Sequence, residues 1–464
     1  MTKTGNSVGY QGFWRAAFWG ALGICLASGA GAQSVTFGLD QRFEVDDNLA
    51  LDLDSAGTSY QAITGLSFGY KATTPIDTFS LQASALWRAV EGPSDVRSGF
   101  DNQRITLGYT REGARAEFGV DASYRRADVA YLRPFEDFID EEGNLILPED
   151  LADLTGAGTR ESWAVNANLE TGRDMPMGFT LDAGLSGIQY RDTTNPNLTD
   201  IDRAHIAAGL RLNLSPVLTG DLGARFATYD ADDAAGTYRE TTSATLGLTY
   251  AASPILTLQA SLGYSIIDTE EFGITTTTEG LDLRLGGIRE LPNGTISAEI
   301  SRRVTADGRR LTAQVARSME LPNGALSASI GATSLDGGDP DLIAALNWQH
   351  ALPTGVINAR LSRDVRETNT DSESLTTSLA IGYAYQINAN SGLDFNASYI
   401  ITDESVPGAR VDRATLTAAY RHALTPDWNL YAGYRHRMRD DEGIGRAQSN
   451  MVFMSIGRQF DLLP

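Results

Sequence analysis

The sequence predicts an all-β protein: a transmembrane antiparallel up-and-down β-barrel of about 22 strands, within a range of about 18 to 24, after a cleaved signal peptide. Apolar and polar residues alternate with a period of two along almost the whole chain. The alternating runs are about ten residues long, the length of a tilted strand that crosses a bilayer. Short turns and longer acidic loops follow these runs in alternation.

The composition excludes several classes of protein. The chain has 464 residues, with 37 Lys and Arg against 59 Asp and Glu, and a net charge of −22. Such an acidic chain does not fit a general nucleic-acid binder. The single cysteine, Cys25, rules out a disulfide framework and a cysteine-based metal site. We therefore expect no cofactor and no metal.

The first 32 residues have the features of a signal peptide. Lys3 and Arg15 precede an apolar run at 16–27, which is too short to span a bilayer as a helix. Small residues then lead to the A-x-A cleavage site that ends at Ala32. We therefore predict a signal peptide at 1–32, a barrel at 33–464, and a location in the outer membrane of a Gram-negative bacterium.

The alternating runs follow one another along the chain, and each has one apolar and one polar face. In the first clear run, Tyr60, Phe68 and Tyr70 alternate with Gln61 and Lys71. Further runs have apolar residues at Phe79/Leu81/Ala83/Ala85/Trp87, Ala116/Phe118/Val120/Ala122/Tyr124, Leu246/Leu248/Tyr250, Leu258/Ala260/Leu262/Tyr264, Leu281/Leu283/Leu285, Leu379/Ile381/Tyr383/Tyr385 and Leu393/Phe395/Ala397/Tyr399.

The connections are of two kinds. Tight turns are predicted at 74–76, 112–113, 253–254, 291–294, 321–324, 352–355 and 425–427; Asn-Gly pairs in two of them are strong hairpin signals. Longer, mostly acidic connections are predicted at 46–58, 92–100, 131–158, 192–202, 230–236, 268–275, 366–372 and 402–410. Short turns on one side and long loops on the other are typical of outer-membrane barrels.

A soluble, secreted β-repeat protein, such as a propeller or solenoid, is the main alternative fold. Against it, the polar faces are rich in Gly, Ser, Thr and Arg, whereas solvated surfaces favour Lys and Glu. Aromatic residues also cluster near strand ends, as membrane-interface girdles do. The predicted girdle residues are Tyr70, Trp87, Tyr109, Tyr124, Tyr190, Tyr250, Tyr264, Trp348, Tyr420, Trp428 and Tyr434.

Both ends of the predicted barrel resemble a known family. Residues 41–49 (QRFEVDDNL) resemble the opening segment of outer-membrane β-barrel porins of unknown function, often associated with exopolysaccharide export systems. Residues 449–460 (SNMVFMSIGRQF) are similar to the closing strand of that family and place Phe460 as the aromatic signal for the barrel-assembly machinery. The four residues after Phe460 depart from that signal, which usually ends on the aromatic residue. The resemblance implies polysaccharide-export proteins as partners.

If the apolar residues of each strand face lipid, the polar residues that alternate with them line the lumen. Its predicted arginines are Arg88, Arg104, Arg125, Arg211, Arg225, Arg284, Arg303, Arg310, Arg360, Arg421 and Arg435. The facing carboxylates are fewer: Glu117, Asp121, Asp182, Asp282, Glu299 and Asp394. Guanidinium groups bind carboxylate and phosphate oxygens in a bidentate manner. One hypothesis is therefore a channel for anionic solutes or an acidic polysaccharide, in which replacing Arg211, Arg284 and Arg360 with Ser lowers anion preference. The alternative is that the arginines pair with lumenal acids and fill the barrel.

The connection at 131–158 is strongly acidic, with eight acids and no base between Glu136 and Asp153. A solvated loop is the simplest interpretation. Cation-mediated contact with lipopolysaccharide and inward folding as a constriction are the alternatives. A second acidic group at 46–54 lacks the glycine and the final glutamate of an EF-hand, so specific calcium binding is not predicted.

Three other functional classes have to be weighed. An outer-membrane hydrolase needs a nucleophile with a histidine base, but His205 and His350 are isolated, while His422 and His436 have Asp427, Asp440 and Asp441 as candidate partners. No G-x-S-x-G or H-E-x-x-H motif occurs, so we predict no enzyme activity. A TonB-dependent receptor needs a plug domain, for which the mature chain has no room. A structural or adhesive barrel without transport is the remaining alternative.

Overall fold

The structure is a computed structural model that describes residues 32–93, 96–132, 138, 148, 150–151, 154, 156–193, 195–367, 373–404 and 410–463. The predicted signal peptide lies outside these residues except for Ala32, the first residue of β1. No helix among the described residues is long and apolar enough to cross a membrane.

Twenty-two β-strands make up nearly all of the described structure. They are β1 Ala32–Asp46, β2 Ser59–Thr73, β3 Asp77–Glu91, β4 Val96–Glu112, β5 Ala116–Asp128, β6 Thr159–Thr171, β7 Met177–Arg191, β8 Ile201–Ser215, β9 Leu218–Ala231, β10 Tyr238–Ser253, β11 Leu256–Glu271, β12 Ile274–Leu291, β13 Gly294–Thr305, β14 Gly308–Leu321, β15 Gly324–Leu335, β16 Asp341–Leu352, β17 Gly355–Glu367, β18 Glu373–Asn388, β19 Ser391–Glu404, β20 Arg410–Ala423, β21 Trp428–Asp441 and β22 Gly445–Leu463. A single 3-10 turn, Val129–Tyr131, follows β5.

Each strand pairs in antiparallel fashion with its neighbours in the chain, and β1 pairs with β22 to close the barrel. The predicted all-β fold class and the count of 22 strands are therefore confirmed. Closure satisfies the backbone hydrogen bonds of both terminal strands, which a strand in lipid requires. The extensive contacts between elements all join neighbouring strands.

The two ends of the barrel differ as the sequence predicts. The tight turns after β2, β4, β10, β12, β14, β16 and β20 all lie at the end that also holds Ala32 and Leu463. By the usual orientation of such barrels, this end is periplasmic. Two connections at the opposite end are shorter than predicted. Only residues 92–95 separate β3 from β4, and Phe272-Gly273 alone separate β11 from β12.

The outer face of the barrel carries the apolar half of each alternating run. Phe68, Leu248, Leu285 and Leu416 are among its large exposed side chains. An exposed apolar belt on a closed barrel is the surface that a bilayer covers. The assignment of Tyr190 to the outer girdle is wrong. Tyr190 lies opposite Arg160 on the inner face, and its hydroxyl accepts a hydrogen bond from Arg160 Nε at 3.2 Å.

The turn between β12 and β13 depends on a glycine. Gly294 has a φ of +127°, and a Cβ at this position would overlap the carbonyl oxygen of Ser318. We expect Gly294→Ala to lower the free energy of unfolding in lipid vesicles by about 1–3 kcal/mol, because an L side chain is strained there. The control is Gly99→Ala, since a Cβ added at Gly99 would find open space within 4 Å. An equal loss in both variants would show that the turn conformation is not the cause.

Candidate functional site

The strand register assigns each predicted arginine to one face of the wall. All eleven occupy inner-face positions; for example, Arg104 lies directly opposite Arg125, and Arg303 lies directly opposite Arg310. Facing residues in an antiparallel pair point to the same side of a sheet. Whether these arginines select solutes stays a prediction.

Four of these arginines form ion pairs with inner-face carboxylates. The distances are 3.2 Å for Arg88–Asp101, 3.5 Å for Arg211–Glu170, 2.7 Å for Arg284–Glu299 and 3.5 Å for Arg421–Asp394. Three of the pairs join neighbouring strands, and Arg211–Glu170 spans from β8 to β6. These four arginines therefore match the alternative in which lumenal charges neutralise one another.

Three other arginines of the set donate hydrogen bonds to neutral side chains. Arg125 donates to Asn102 Oδ1 at 2.8 Å, Arg310 to Thr333 Oγ1 at 3.1 Å and Arg435 to Thr417 Oγ1 at 3.3 Å. Of the described carboxylates, none forms an ion pair with the following arginines: Arg104, Arg225, Arg303 and Arg360. The charges of these four are the ones available to a solute in the lumen.

The lumen holds more carboxylates than the six that the sequence identified. The register places further acids on the inner face: Asp40, Glu44, Asp46, Asp101, Glu170 and Asp221. The sequence therefore identified only part of the lumenal carboxylates. For Asp101 there is a structural reason. It precedes a β-bulge, where Asn102 has a φ of +47° and the pairing shifts between Ser84 and Leu86, so the simple alternation fails there.

Most of the inner wall carries both arginines and carboxylates, but one part of it differs. A cavity of about 850 Å³ lies against strands β13 to β21. Among the described residues that line it are Arg360 and Arg435 together with serine, threonine and asparagine side chains, and none is Asp or Glu. We call this surface the β13–β21 wall. It combines positive charge with neutral hydrogen-bonding groups.

The acidic connection at 131–158 contacts the inner wall through its described residues. Asp150 is buried, and its Oδ2 lies 2.8 Å from Arg160 Nε on β6. The Phe138 ring lies 5.5 Å from the guanidinium of Arg125 and 5.9 Å from that of Arg160. Asp150 is therefore not part of a solvated loop. The other seven acids of this segment lie outside the described residues.

The two segments that carry the family resemblance meet at the seam between β1 and β22. Buried Asp46 accepts hydrogen bonds from Ser449 Oγ at 2.7 Å and from Arg437 Nη2 at 2.9 Å. Next to it, Asp47 accepts from the backbone and side chain of Asn450 at 2.6 and 2.8 Å. We call Asp46, Arg437 and Ser449 the seam cluster. The sequence did not identify it, because its parts are 403 residues apart in the chain.

Phe460 lies near the end of β22, on the outer face. Its ring packs against Phe37 with a centroid distance of 6.1 Å, and the Arg458 guanidinium lies 4.5 Å from its centroid. The strand continues beyond Phe460 to Leu463. The role of Phe460 as an assembly signal stays a prediction.

The histidines have partners different from those expected. His205 Nε2 lies 2.8 Å from Asp182 Oδ1, so His205 is not isolated. The acids proposed for His422 and His436 pair with arginines instead: Asp427 with Arg458, Asp440 with Arg446 and Asp441 with Arg439. His422 Nδ1 lies 2.8 Å from Ser391 Oγ, and His436 Nδ1 lies 3.1 Å from Asn450 Oδ1. Over the described part of the chain, no cluster of three or more His, Cys, Asp or Glu is arranged to hold a metal.

Solved structures of outer-membrane receptors have a similar fold. The ferric enterobactin receptor PfeA of Pseudomonas aeruginosa superposes with a TM-score of 0.56 at 10% identity, covering 93% of this chain and 81% of the receptor. The FrpB iron transporter of Neisseria meningitidis gives 0.56 at 10% identity, with coverages of 94% and 83%. The siderophore receptor PirA of Acinetobacter baumannii gives 0.56 at 8% identity, with coverages of 93% and 81%.

No protein-family model matches the chain, and no curated protein matches it significantly. At about one identical residue in ten, the likeness to the receptors establishes the architecture alone. Together with the closed sheet and its exposed apolar belt, it shows that the protein is a 22-stranded β-barrel of the outer membrane.

Proposed function

We propose that the protein is an outer-membrane channel that passes polar, anionic solutes through its lumen. The observation that carries this proposal is the β13–β21 wall, where Arg360 faces the lumen among neutral polar groups and no described acid lines the cavity. Fixed positive charges on a pore wall attract anions and repel cations. Selection of this kind requires no covalent chemistry, so we propose that the protein is not an enzyme.

The arginines that determine selectivity are those without a carboxylate partner. Arg211 and Arg284 face Glu170 and Glu299, so each pair presents little net charge to a passing ion. Arg104 and Arg225 are exposed on the inner face, and Arg360 is half-buried there. These three are therefore better test positions than the set that includes Arg211 and Arg284.

We expect the triple variant Arg104→Ser, Arg225→Ser and Arg360→Ser to lose anion preference in planar-bilayer recordings. A unit charge about 7 Å from an ion in water contributes roughly 0.6 kcal/mol. Loss of three such charges should lower the anion-to-cation permeability ratio several-fold at low salt and less at high salt, because salt screens the charges. The measurement is the reversal potential across a salt gradient.

The matched control is Arg289→Ser, which removes an arginine from the outer face, where Arg289 lies opposite Leu256. It should leave selectivity unchanged. An unaltered permeability ratio in the triple variant would mean that these arginines only fill the lumen. Absence of any conductance from a folded wild-type barrel would refute the channel itself and favour a structural or adhesive barrel.

The outer surface suits the partners that a channel of this kind needs. The exposed apolar belt fits outer-membrane lipid and lipopolysaccharide. Phe460 near the end of β22 fits recognition by the barrel-assembly machinery. We further propose polysaccharide-export proteins as partners, a suggestion that rests on the family resemblance of residues 41–49 and 449–460.

A further inference from the structure

We infer that a groove on the outer face of strands β11 to β15 binds an anionic phospholipid of the periplasmic leaflet, with Arg317 holding the phosphate and the groove holding an acyl chain. This inference concerns the lipid-facing surface and does not depend on the proposed channel function. It rests on the shape of the groove, on the position of Arg317 and on the charge around it.

The groove has a volume of about 520 Å³ and lies within the exposed apolar belt. Its floor consists of small residues, because Gly287, Ala298 and Ala313 occupy outward positions on β12, β13 and β14. Larger exposed side chains flank this floor: Leu258, Leu285, Ile300, Val315 and Ile330. Such a groove suits an acyl chain, which makes more van der Waals contacts there than on a flat surface.

Arg317 places a positive charge at the periplasmic end of the groove. It lies on the outer face of β14, directly opposite the exposed Ile296. Its Nη1 donates to the carbonyl oxygens of Thr295 and Ser318 at 2.9 and 2.7 Å, and its Nη2 donates to Asn293 Oδ1 at 2.6 Å. These contacts hold the guanidinium beside the periplasmic turn, where lipid headgroups begin. They use only part of its N–H donors, so others remain for a phosphate oxygen.

No described carboxylate neutralises this charge. Neither Arg317 nor Arg289, which lies on the other side of Ile296, forms an ion pair with a described Asp or Glu. The neighbouring turns at 291–294 and 321–324 contain no acid in their sequence. This part of the periplasmic rim is therefore positive, and a positive rim attracts an anionic headgroup.

The acids closest in sequence lie on the other side of the wall. Glu290 and Glu320 alternate with outward residues and belong to the inner face. Arg458, another outer-face arginine at the periplasmic end, differs from Arg317 because it pairs with Asp427 at 3.0 Å. The combination of an apolar groove and an arginine without a described acid therefore favours a phospholipid with a net negative headgroup over a zwitterionic one.

The test is native mass spectrometry of the folded barrel in detergent, with dioleoyl-phosphatidylglycerol or dioleoyl-phosphatidylethanolamine added in increasing amounts. The two probes have the same acyl chains, but only the first has a net negative headgroup. We expect the phosphatidylglycerol to bind about fivefold more tightly, which is roughly the contribution of one basic residue near an anionic lipid.

A charge variant tests the role of Arg317. Arg317→Gln should remove the preference for phosphatidylglycerol and leave the affinity for phosphatidylethanolamine nearly unchanged, because only the charge is lost. Arg302→Gln is the matched control, since Arg302 lies on the outer face opposite Leu283, toward the extracellular end of β13. It should leave the affinities for both lipids unchanged.

A second variant tests the groove without changing any charge. Ala298 is exposed on the floor, so Ala298→Phe should fill the groove and weaken the binding of both lipids several-fold. The control is Ala244→Phe, because Ala244 is an exposed outer-face residue on β10, opposite Tyr264 and outside the groove. Heat-modifiable gel mobility verifies that each variant is folded.

Each part of the inference can fail separately. Equal affinity of the wild-type barrel for the two lipids would overturn the anionic class. An unchanged preference in Arg317→Gln would overturn the role of Arg317, and unchanged binding in Ala298→Phe would overturn the groove. A dimer in the mass spectrum that Ala298→Phe abolishes would show that a second copy of the chain covers the groove, and would overturn the lipid site.

Discussion

Replacing Asp46 with Ala should destabilise the barrel by about 3–5 kcal/mol, because it breaks a buried ion pair by removing one partner. Asp46 is fully buried at the seam, and its carboxylate accepts from Ser449 Oγ, Arg437 Nη2 and the Asn48 backbone N–H, all within 2.9 Å. Without that carboxylate, the largely buried Arg437 guanidinium loses its ion pair with Asp46. The measurement is the free energy of unfolding by urea in lipid vesicles.

The location of Asp46 adds to this effect. β1 and β22 close the barrel, and the ladder between them ends at the pair Asp46 and Met451. We expect the variant to show a larger population of opened, protease-sensitive barrel. Asp54→Ala is the matched control, since Asp54 is an exposed acid in the connection that follows β1. The double variant Asp46→Ala with Arg437→Met should recover part of the lost stability, because no charge is then left unpaired. If the single and double variants are equally unstable, the ion pair is not the cause.

The second large effect is expected at the buried pair Asp150–Arg160. Their side chains are 1% and 8% exposed, and Arg160 Nε also contacts the Tyr190 hydroxyl. Asp150→Ala should cost about 3 kcal/mol or more, since it leaves a buried guanidinium without its carboxylate. The loss should appear as earlier unfolding in urea and as faster proteolysis of the 131–158 connection.

A surface ion pair between β5 and β6 gives the comparison. Arg126 lies 3.5 Å from Glu161 with half of its side chain exposed, so Arg126→Ala should cost at most about 1 kcal/mol. The combined change Asp150→Leu and Arg160→Met should be much milder than Asp150→Ala alone, because apolar pairs of similar volume replace buried ion pairs well. A small effect of Asp150→Ala would mean that this contact does not hold the connection against the wall.

The alternation in the sequence predicted which residues share a face, because side-chain direction in a strand depends only on the local backbone. All eleven predicted lumenal arginines accordingly occupy inner-face positions. Exceptions occur where the local rule fails. The bulge at Asn102 shifts the phase of β4. Tyr190 is a different case: it follows the alternation of β7 onto the inner face, which its assignment to the aromatic girdle did not take into account.

Electrostatic partners could not be predicted in the same way. A count of alternating charges gives no register, so it could not show that Arg211 meets Glu170 across two strands while Arg360 lies opposite the neutral residues Asn347 and Ala380. The lining of the β13–β21 wall, which has no acid among its described residues, is a property of nine strands at once. Which residues line this wall depends on how far each strand is shifted along its neighbour. The turns and the closure of the barrel set these shifts together.

The fold class, the strand count and the inner and outer faces were predictable from the amino-acid sequence, because all three follow from local periodicity and turn chemistry. Which charges meet is a property of the folded barrel. Asp46 reaches Ser449 across 403 residues, and Asp150 reaches Arg160 through a connection with no periodic pattern. Such contacts depend on barrel closure and on the path of a loop, and neither is encoded in the alternation of single strands.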